Sequence, residues 1–198
     1  MKNAIRPALA VFAALTLLCG LAYPLAVTGL AQLIMPRQAN GSLVEHDGKV
    51  VGSQLIGQSF TSPRYFWGRP SATAPTPNNA AGSSGANQGP SNPALKEAVA
   101  GRVAALRAAD PNNRDAIPVD LVTASASGLD PHISPAAALY QADRVAAARG
   151  FPRERVLGLV EAHTERPWLG LFGEARVHVL ALNLALDMAS EDQMPHTR

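Results

Sequence analysis

A chain of 198 residues suffices for one membrane anchor and one domain with its own core, and is too short for several catalytic domains. Hydrophobic residues make up 47% and charged residues 16%, but only Lys2 and Arg6 carry charge before Arg37, so the composition averages an apolar segment and an ordinary soluble sequence. The formal net charge of +2 is small and the arginines are scattered (Arg64, Arg69, Arg102, Arg107, Arg144, Arg149, Arg176), which argues against nucleic acid as a partner. The single cysteine, Cys19, leaves no intramolecular disulfide and no cysteine metal site.

From Pro7 to Met35 there is no Asp, Glu, Lys, Arg or His. This run exceeds the roughly 20 residues that cross a bilayer core and is about twice the roughly 7 to 15 residues of a signal-peptide h-region. The basic Lys2 and Arg6 and the small-residue Gly29-Leu30-Ala31 resemble a secretory signal, and a lipoprotein signal would need a small residue where Leu18 precedes Cys19. Length favours an uncleaved helix. Lys2 and Arg6 before it, with Glu45 and Asp47 beyond it, place the N-terminus in the cytoplasm. The expected division is a cytoplasmic N-terminus over 1–6, a transmembrane helix over 7–36, and an extracytoplasmic, periplasmic domain over 37–198. Pro24 removes one helix hydrogen bond and crowds the carbonyl of Gly20, predicting a kink. Gly20, Ala22, Ala26 and Gly29 form a small-residue face for a partner helix, and Thr16, Thr28 and Gln32 can hydrogen-bond across it. The plainer alternative is a lone anchor in lipid.

After a polar joint at residues 38–42, Asp47-Gly48 separates two short β-prone runs and predicts a hairpin. Residues 60–73 gather Tyr65, Phe66 and Trp67 between Arg64 and Arg69. These read either as a satellite hydrophobic cluster or as an anchor on a partner domain, formed by Tyr65, Phe66, Trp67 and Arg69. Residues 74–93 are Pro-, Gly-, Asn- and Ser-rich and predict a long loop. Asn92-Pro93, Ser134-Pro135 and Phe151-Pro152 each announce a helix with proline at its first position. The first helix buries Leu95, Val99, Val103 and Leu106; the second buries Leu139, Ala142, Val145 and Ala146 and stops at Gly150. The third is shorter. A fourth, with Val177, Leu180 or Ala181, Leu184 and Met188 in register, has strand character at its start. Val119–Thr123 reads as a β-prone run before a small-residue loop. The fold class is α+β, one transmembrane helix followed by a single mixed domain of about four helices and a few short strands.

Recognisable chemistry is sparse. His46, His132, His163, His178 and His196 have no metal-ligand spacing, so no metal site is expected. No Gly-x-Ser-x-Gly elbow occurs, and Ser125 to Gly128 has no identifiable base, so a serine hydrolase on Ser127 has ingredients without arrangement. Gly52 to Ser59 has the glycine spacing of a phosphate loop, but Gln58 stands where its lysine is required. Neither an Asp-Lys-Thr-Gly signature nor a Thr-Val-Gly-Tyr-Gly potassium filter is present, so the chain is neither motor nor channel and no catalytic residue is expected.

Taken in order, RPAL at Arg6, YPL at Tyr23, QANGSL at Gln38, GSQLIGQSF at Gly52, YFWGRPSAT at Tyr65, GPSNP at Gly89, DLVTASASGLDPHISP at Asp120 and ARVHVLALNLALD at Ala175 resemble one family. It is the C chain of the bacterial high-affinity ATP-driven potassium-transport complex (KdpC), and the likeness covers nearly the whole sequence. The resemblance implies an accessory subunit of the cell inner membrane, in contact with lipid. Its implied partners are a channel-like potassium-binding subunit, a P-type ATPase subunit and a small stabilising peptide. It also implies a catalytic chaperone that raises the ATP affinity of the motor subunit, with no tightly bound cofactor and ATP held only in the complex. For such a contact the candidates are Gln141, Ser127 and Gly128, whose plainer roles are helix surface and turn. The alternative function is a membrane-tethered extracytoplasmic binding module.

Overall fold

The structure is a computed structural model that describes the backbone of residues 2–191; His196 lies outside them. The chain divides into two compact units, Met1–Val51 and Gly52–Arg198.

In the first unit, α1 (Lys2–Leu17) and α2 (Tyr23–Ile34) are joined by a single π-helical turn, Leu18–Ala22. Together they give an apolar helix over Ala4–Ile34, with mean hydropathy 2.1 and no part buried within the protein, long and apolar enough to cross a membrane. It begins at Lys2, before the expected Pro7, because only Asn3 loses a hydrogen bond to a proline so close to the end. The π turn is the local answer to Pro24: the Tyr23 N–H reaches the Leu18 carbonyl, five residues back, and this widened turn accommodates the proline ring. Gly20, Ala22, Ala26 and Gly29 are all exposed, and a Cβ at Gly20 or Gly29 would meet nothing within 4 Å.

The polar joint is more ordered than its composition suggested. α3 (Pro36–Ala39) is one helical turn, closed by Asn40, whose Nδ2 donates to the Pro36 carbonyl at 2.7 Å. Gln32, expected to bond across a helix interface, exchanges hydrogen bonds with the Asn40 amide at 3.1 and 3.2 Å. β1 (Leu43–His46) and β2 (Lys49–Ser53) pair as the predicted hairpin. Asp47 and Gly48, with φ of 50° and 70°, supply the two left-handed positions of a type I′ turn.

Among its described residues, the second unit contains four longer helices and one antiparallel sheet. α4 (Pro93–Ala109) and α5 (Pro135–Arg149) begin at the predicted prolines, capped by Asn92 and Ser134, whose side chains accept from Ala94 N and Ala137 N. α6 (Arg153–Ala162) starts one residue later than expected, with Pro152 at the cap, and α7 covers Val179–Glu191. β3 (His132–Ile133), β4 (Thr164–Glu165) and β5 (Arg176–His178) form a sheet in the order β3-β5-β4, with His132 opposite His178 and Thr164 opposite Val177. The core gathers Phe66, Ile133, Val145, Val156, Val177, Leu182 and Leu186.

Three expectations are corrected. Val119–Leu121 is a 3₁₀ turn, not a strand; the Asp120 carboxylate accepts from Ser134 N at 2.8 Å and Ser134 Oγ at 3.2 Å, tying this turn to the start of α5. Leu139 is 51% exposed, because α5 is buried on most of its circumference and leaves only the stripe Ala136, Leu139, Asp143 and Ala147 outside. Met188 is 57% exposed: Val177 belongs to β5, so the helical register counted from it fails at its far end, and α7 buries Val179, Leu180, Leu182, Asn183 and Leu186, of which Leu180 was expected. Leu95, Val99 and Val103 are half-buried; on α4 only Leu106 is fully enclosed.

Candidate functional site

The aromatic segment leaves a turn over residues 62–65, where Tyr65 N donates to Ser62 O at 3.1 Å, and joins no sheet, so the rest of its backbone must find other partners. Side chains of α5 and α7 provide them. Arg144 donates to the carbonyls of Pro63 at 2.6 Å and Tyr65 at 3.1 Å, and Arg149 Nε donates to that of Arg64 at 2.7 Å. Asn183 accepts from Phe66 N at 2.9 Å and donates to Phe66 O at 3.0 Å. Gln141 repeats this two-point clasp on the next residue, accepting from Trp67 N at 2.8 Å and donating to Trp67 O at 3.1 Å. Every carbonyl from residue 63 to 67 is therefore met by a side-chain donor, and the two amides replace a neighbouring strand.

The rings complete the seam. Phe66 is 0% exposed within the main core, so it is neither a satellite cluster nor a surface that a partner could meet. The guanidinium of Arg144 lies 4.4 Å from the Trp67 ring centroid, and that of Arg149 lies 4.8 Å from the Tyr65 centroid. Tyr65 donates to Asp187 at 3.0 Å, and Asp187 pairs with Arg149 at 2.7 Å. Burial, reinforced by the Asp187 bond, pushes the Tyr65 hydroxyl upward from its ordinary pKa. Burial likewise lowers Arg144 to about 10, a shift that Asp110 and Tyr140 oppose.

Gln141 is only 1% exposed and is consumed by Trp67, by the Ala137 carbonyl and by Arg144 Nη2, which donates to it at 2.7 Å. It is not the solvated helix residue its position on α5 suggested. Ser127 and Gly128 share none of these partners. Ser127 O accepts from Ser84 N and Ser83 Oγ, each at 3.0 Å, which stitches the 74–93 loop to the body of the domain, and Gly128 O accepts from Ser71 Oγ at 2.6 Å, just before that loop. Gly128 has φ of +68°, and a Cβ there would lie 2.6 Å from Thr73 Cγ2 and 2.7 Å from the Ser84 carbonyl. Gly128→Ala should therefore cost about 1–3 kcal/mol in a urea titration of the full chain in detergent.

A second polar node joins this loop region to the sheet. Arg69 Nη1 donates to Asp130 at 3.1 Å, and the other Asp130 oxygen accepts from His132 N at 3.0 Å, with the His132 ring nitrogen at 3.3 Å. His132 packs edge-on against His178 at 5.2 Å. Partial burial raises the Asp130 pKa, but the bonds from His132 and Arg69 outweigh it and hold the group at about 2, below its ordinary 3.8. A carboxylate whose folded pKa is depressed stabilises the fold when ionised, and that contribution is lost as pH falls from 3.8 through about 2. Thermal unfolding of the full chain in detergent should show this acid limb, and Asp130→Asn should flatten it.

Arg69, Asp120, Asp130, His132, Ser134, Glu174 and Arg176 line an open cleft of about 590 Å³. Most of these side chains are already engaged: Arg69 with Asp130, Asp120 with Ser134, and Arg176 with Glu165 at 2.8 Å. Among the described residues, no group of three or more His, Cys, Asp or Glu side chains could hold a metal ion.

Asn183, Arg144, Arg149 and Asp187 were missed from the sequence. A signal existed for Asn183, a lone amide between Leu182 and Leu186 on an apolar helix face, where a buried polar group needs a partner.

Comparison with known proteins matches residues 5–188 to the family model described as K+-transporting ATPase, c chain. A protein of Polaromonas naphthalenivorans is 71% identical over 187 residues, covering 94% of this chain and 95% of its own length. One from Herminiimonas arsenicoxydans is 62% identical, covering 94% and 98%, and one from Variovorax paradoxus is 65% identical, covering 96% and 98%. All three are named potassium-transporting ATPase KdpC subunits. With nearly the whole length matched at such identity, this chain belongs to the KdpC family, the c chains of K+-transporting ATPases.

Proposed function

We propose that the chain is a non-catalytic accessory subunit of an ATP-driven, high-affinity potassium importer, needed for assembly of that complex. The observation that carries this reading is the extent of the family match, from residue 5 at the start of the apolar helix to residue 188 in α7. Anchor and domain are therefore matched together.

In this reading Ala4–Ile34 crosses the inner membrane once, with the N-terminus cytoplasmic and the domain periplasmic, following the positive-inside rule. Gly20, Ala22, Ala26 and Gly29 offer a close-packing face to helices of the channel-like and P-type ATPase subunits, and a small peptide completes the assembly. ATP is hydrolysed by the partner motor. Any rise in the motor's ATP affinity is transmitted through the span and the N-terminal residues, because a periplasmic domain does not meet cytoplasmic nucleotide. The internal engagement of Gln141 supports a structural role for it in place of nucleotide contact.

Mild detergent extraction with the partner subunits co-expressed tests the proposal. Affinity capture of this chain should bring the partners down, and Ala26→Leu or Gly29→Leu, each bulkier on an exposed face, should lower their recovery several-fold. Capture of the chain alone, or full recovery with both leucine variants, would sink the respective part of this reading. Stabilisation of the isolated chain by a soluble ligand would favour a tethered binding module instead.

A further inference from the structure

Between β4 and β5 the chain exposes a compact apolar tip. Trp168, Leu169, Leu171 and Phe172 are 70%, 71%, 81% and 62% exposed, and they lie within a seven-residue stretch, Pro167 to Gly173, that carries no charge. Contiguous exposure of four large apolar side chains marks an interaction site. The tip is also built, not frayed: the Trp168 and Phe172 rings stack at 5.6 Å, and Leu169 is held at φ of 52°, a left-handed conformation that a leucine adopts at a cost.

We propose that this tip inserts into the interfacial zone of the lipid bilayer that anchors the chain, a reading that rests on the membrane anchorage proposed above. Two features favour lipid over a protein groove. The backbone of the tip is closed in part on itself: Trp168 N donates to Phe172 O, Phe172 N and Leu171 N donate to Trp168 O, and Gly170 N donates to Pro167 O, at 3.0–3.1 Å. Full closure is required only in the hydrocarbon, so the carbonyls that remain open hold the tip in the interfacial zone, where water and headgroups meet them. The only polar side-chain atom of the stretch is the Trp168 indole nitrogen, and tryptophan favours the headgroup boundary, with its apolar body inside and its N–H toward water.

The charged neighbours bound the depth of insertion. Arg166 pairs with Glu161, and Arg176 pairs with Glu165. Neither these neutralised pairs nor the exposed carboxylate of Glu174 beside the tip attracts anionic lipid, so the contact is apolar and insensitive to salt. The second unit begins at Gly52, shortly after the apolar helix ends at Ile34, so the tip stays at high effective concentration near the surface.

The test uses the full-length chain in phosphatidylcholine vesicles, alone and with partner subunits. The same fluorophore is placed on native Cys19, on Leu171→Cys in a Cys19→Ser background, and on Leu139→Cys in that background as an exposed reference. With the chain alone, the label at 171 should be quenched by doxyl groups high on the acyl chains. It should be several-fold less accessible to aqueous iodide than the label at 139, also at about 1 M salt. Failure of lipid quenching at Cys19 would overturn the anchorage and the inference together. Quenching at Cys19 with a label at 171 open to iodide would overturn the inference alone. Shielding that appears only with partner subunits, or without lipid quenching as chain density rises, would assign the tip to a protein groove or to a second copy, and would equally overturn it.

Discussion

Phe66→Ala should destabilise the domain by about 3–5 kcal/mol, the range for emptying a fully buried phenylalanine site. Phe66 is 0% exposed, and its ring packs in the core while both of its backbone groups are clasped by Asn183. The cavity would open where the aromatic segment is anchored, so loss of the ring also loosens the neighbouring clasp on Trp67. Urea unfolding of the full chain in detergent, read by Trp67 fluorescence in a Trp168→Phe background, would measure this. A loss below about 1 kcal/mol would mean that the site collapses around the missing ring and that the packing described is not limiting.

Asn183→Leu should be comparably damaging by a different route. Leucine suits the apolar face of α7 in size, so little packing is lost, but the N–H and carbonyl of Phe66 are left buried without partners. Each orphaned group costs roughly 1–3 kcal/mol, giving about 2–6 kcal/mol for the pair. The informative comparison is Asn183→Asp, which retains an acceptor for Phe66 N but removes the donor to Phe66 O. If the leucine variant matched wild-type stability, the clasp would be incidental, and water would be meeting that backbone.

Much of the architecture could be read from local chemistry. Asn92-Pro93 and Ser134-Pro135 set the starts of α4 and α5, Gly150 ended α5 with φ of 68°, and Asp47-Gly48 made its hairpin. These signals act within a few residues, so they survive without knowledge of the fold. The errors share the opposite property. Leu139 and Met188 were placed inside by period alone, whereas tertiary packing decided which faces α5 and α7 bury. The 3₁₀ turn at Val119 prevailed over β propensity because Asp120 has Ser134 to hold, fourteen residues away in sequence.

The candidate site was legible only as ingredients. Tyr65, Phe66, Trp67 and Arg69 stood out by composition, but nothing in their neighbourhood indicates Asn183, Gln141 or Asp187. Such partners are set by the topology that brings α5 and α7 to one aromatic segment. Gln141 was singled out for a ligand, and the structure shows its amide consumed by Trp67. A lone amide on a helix carries the same letters whether it faces water or a neighbouring backbone.

The clasp on residues 63–67 has a consequence for the order in which the domain forms. The Tyr65–Asp187 bond spans 122 positions, and the Phe66–Asn183 bonds span 117. During synthesis the aromatic segment emerges long before α7 exists to receive it. Its carbonyls and amide hydrogens then have only water as partner, and the core stays open at that point. Closing so long a chain segment is entropically costly before any contact rewards it, which places the seam among the late events of folding. Until α7 arrives, Tyr65, Phe66 and Trp67 form an unpaired apolar stretch, a state exposed to aggregation and proteolysis.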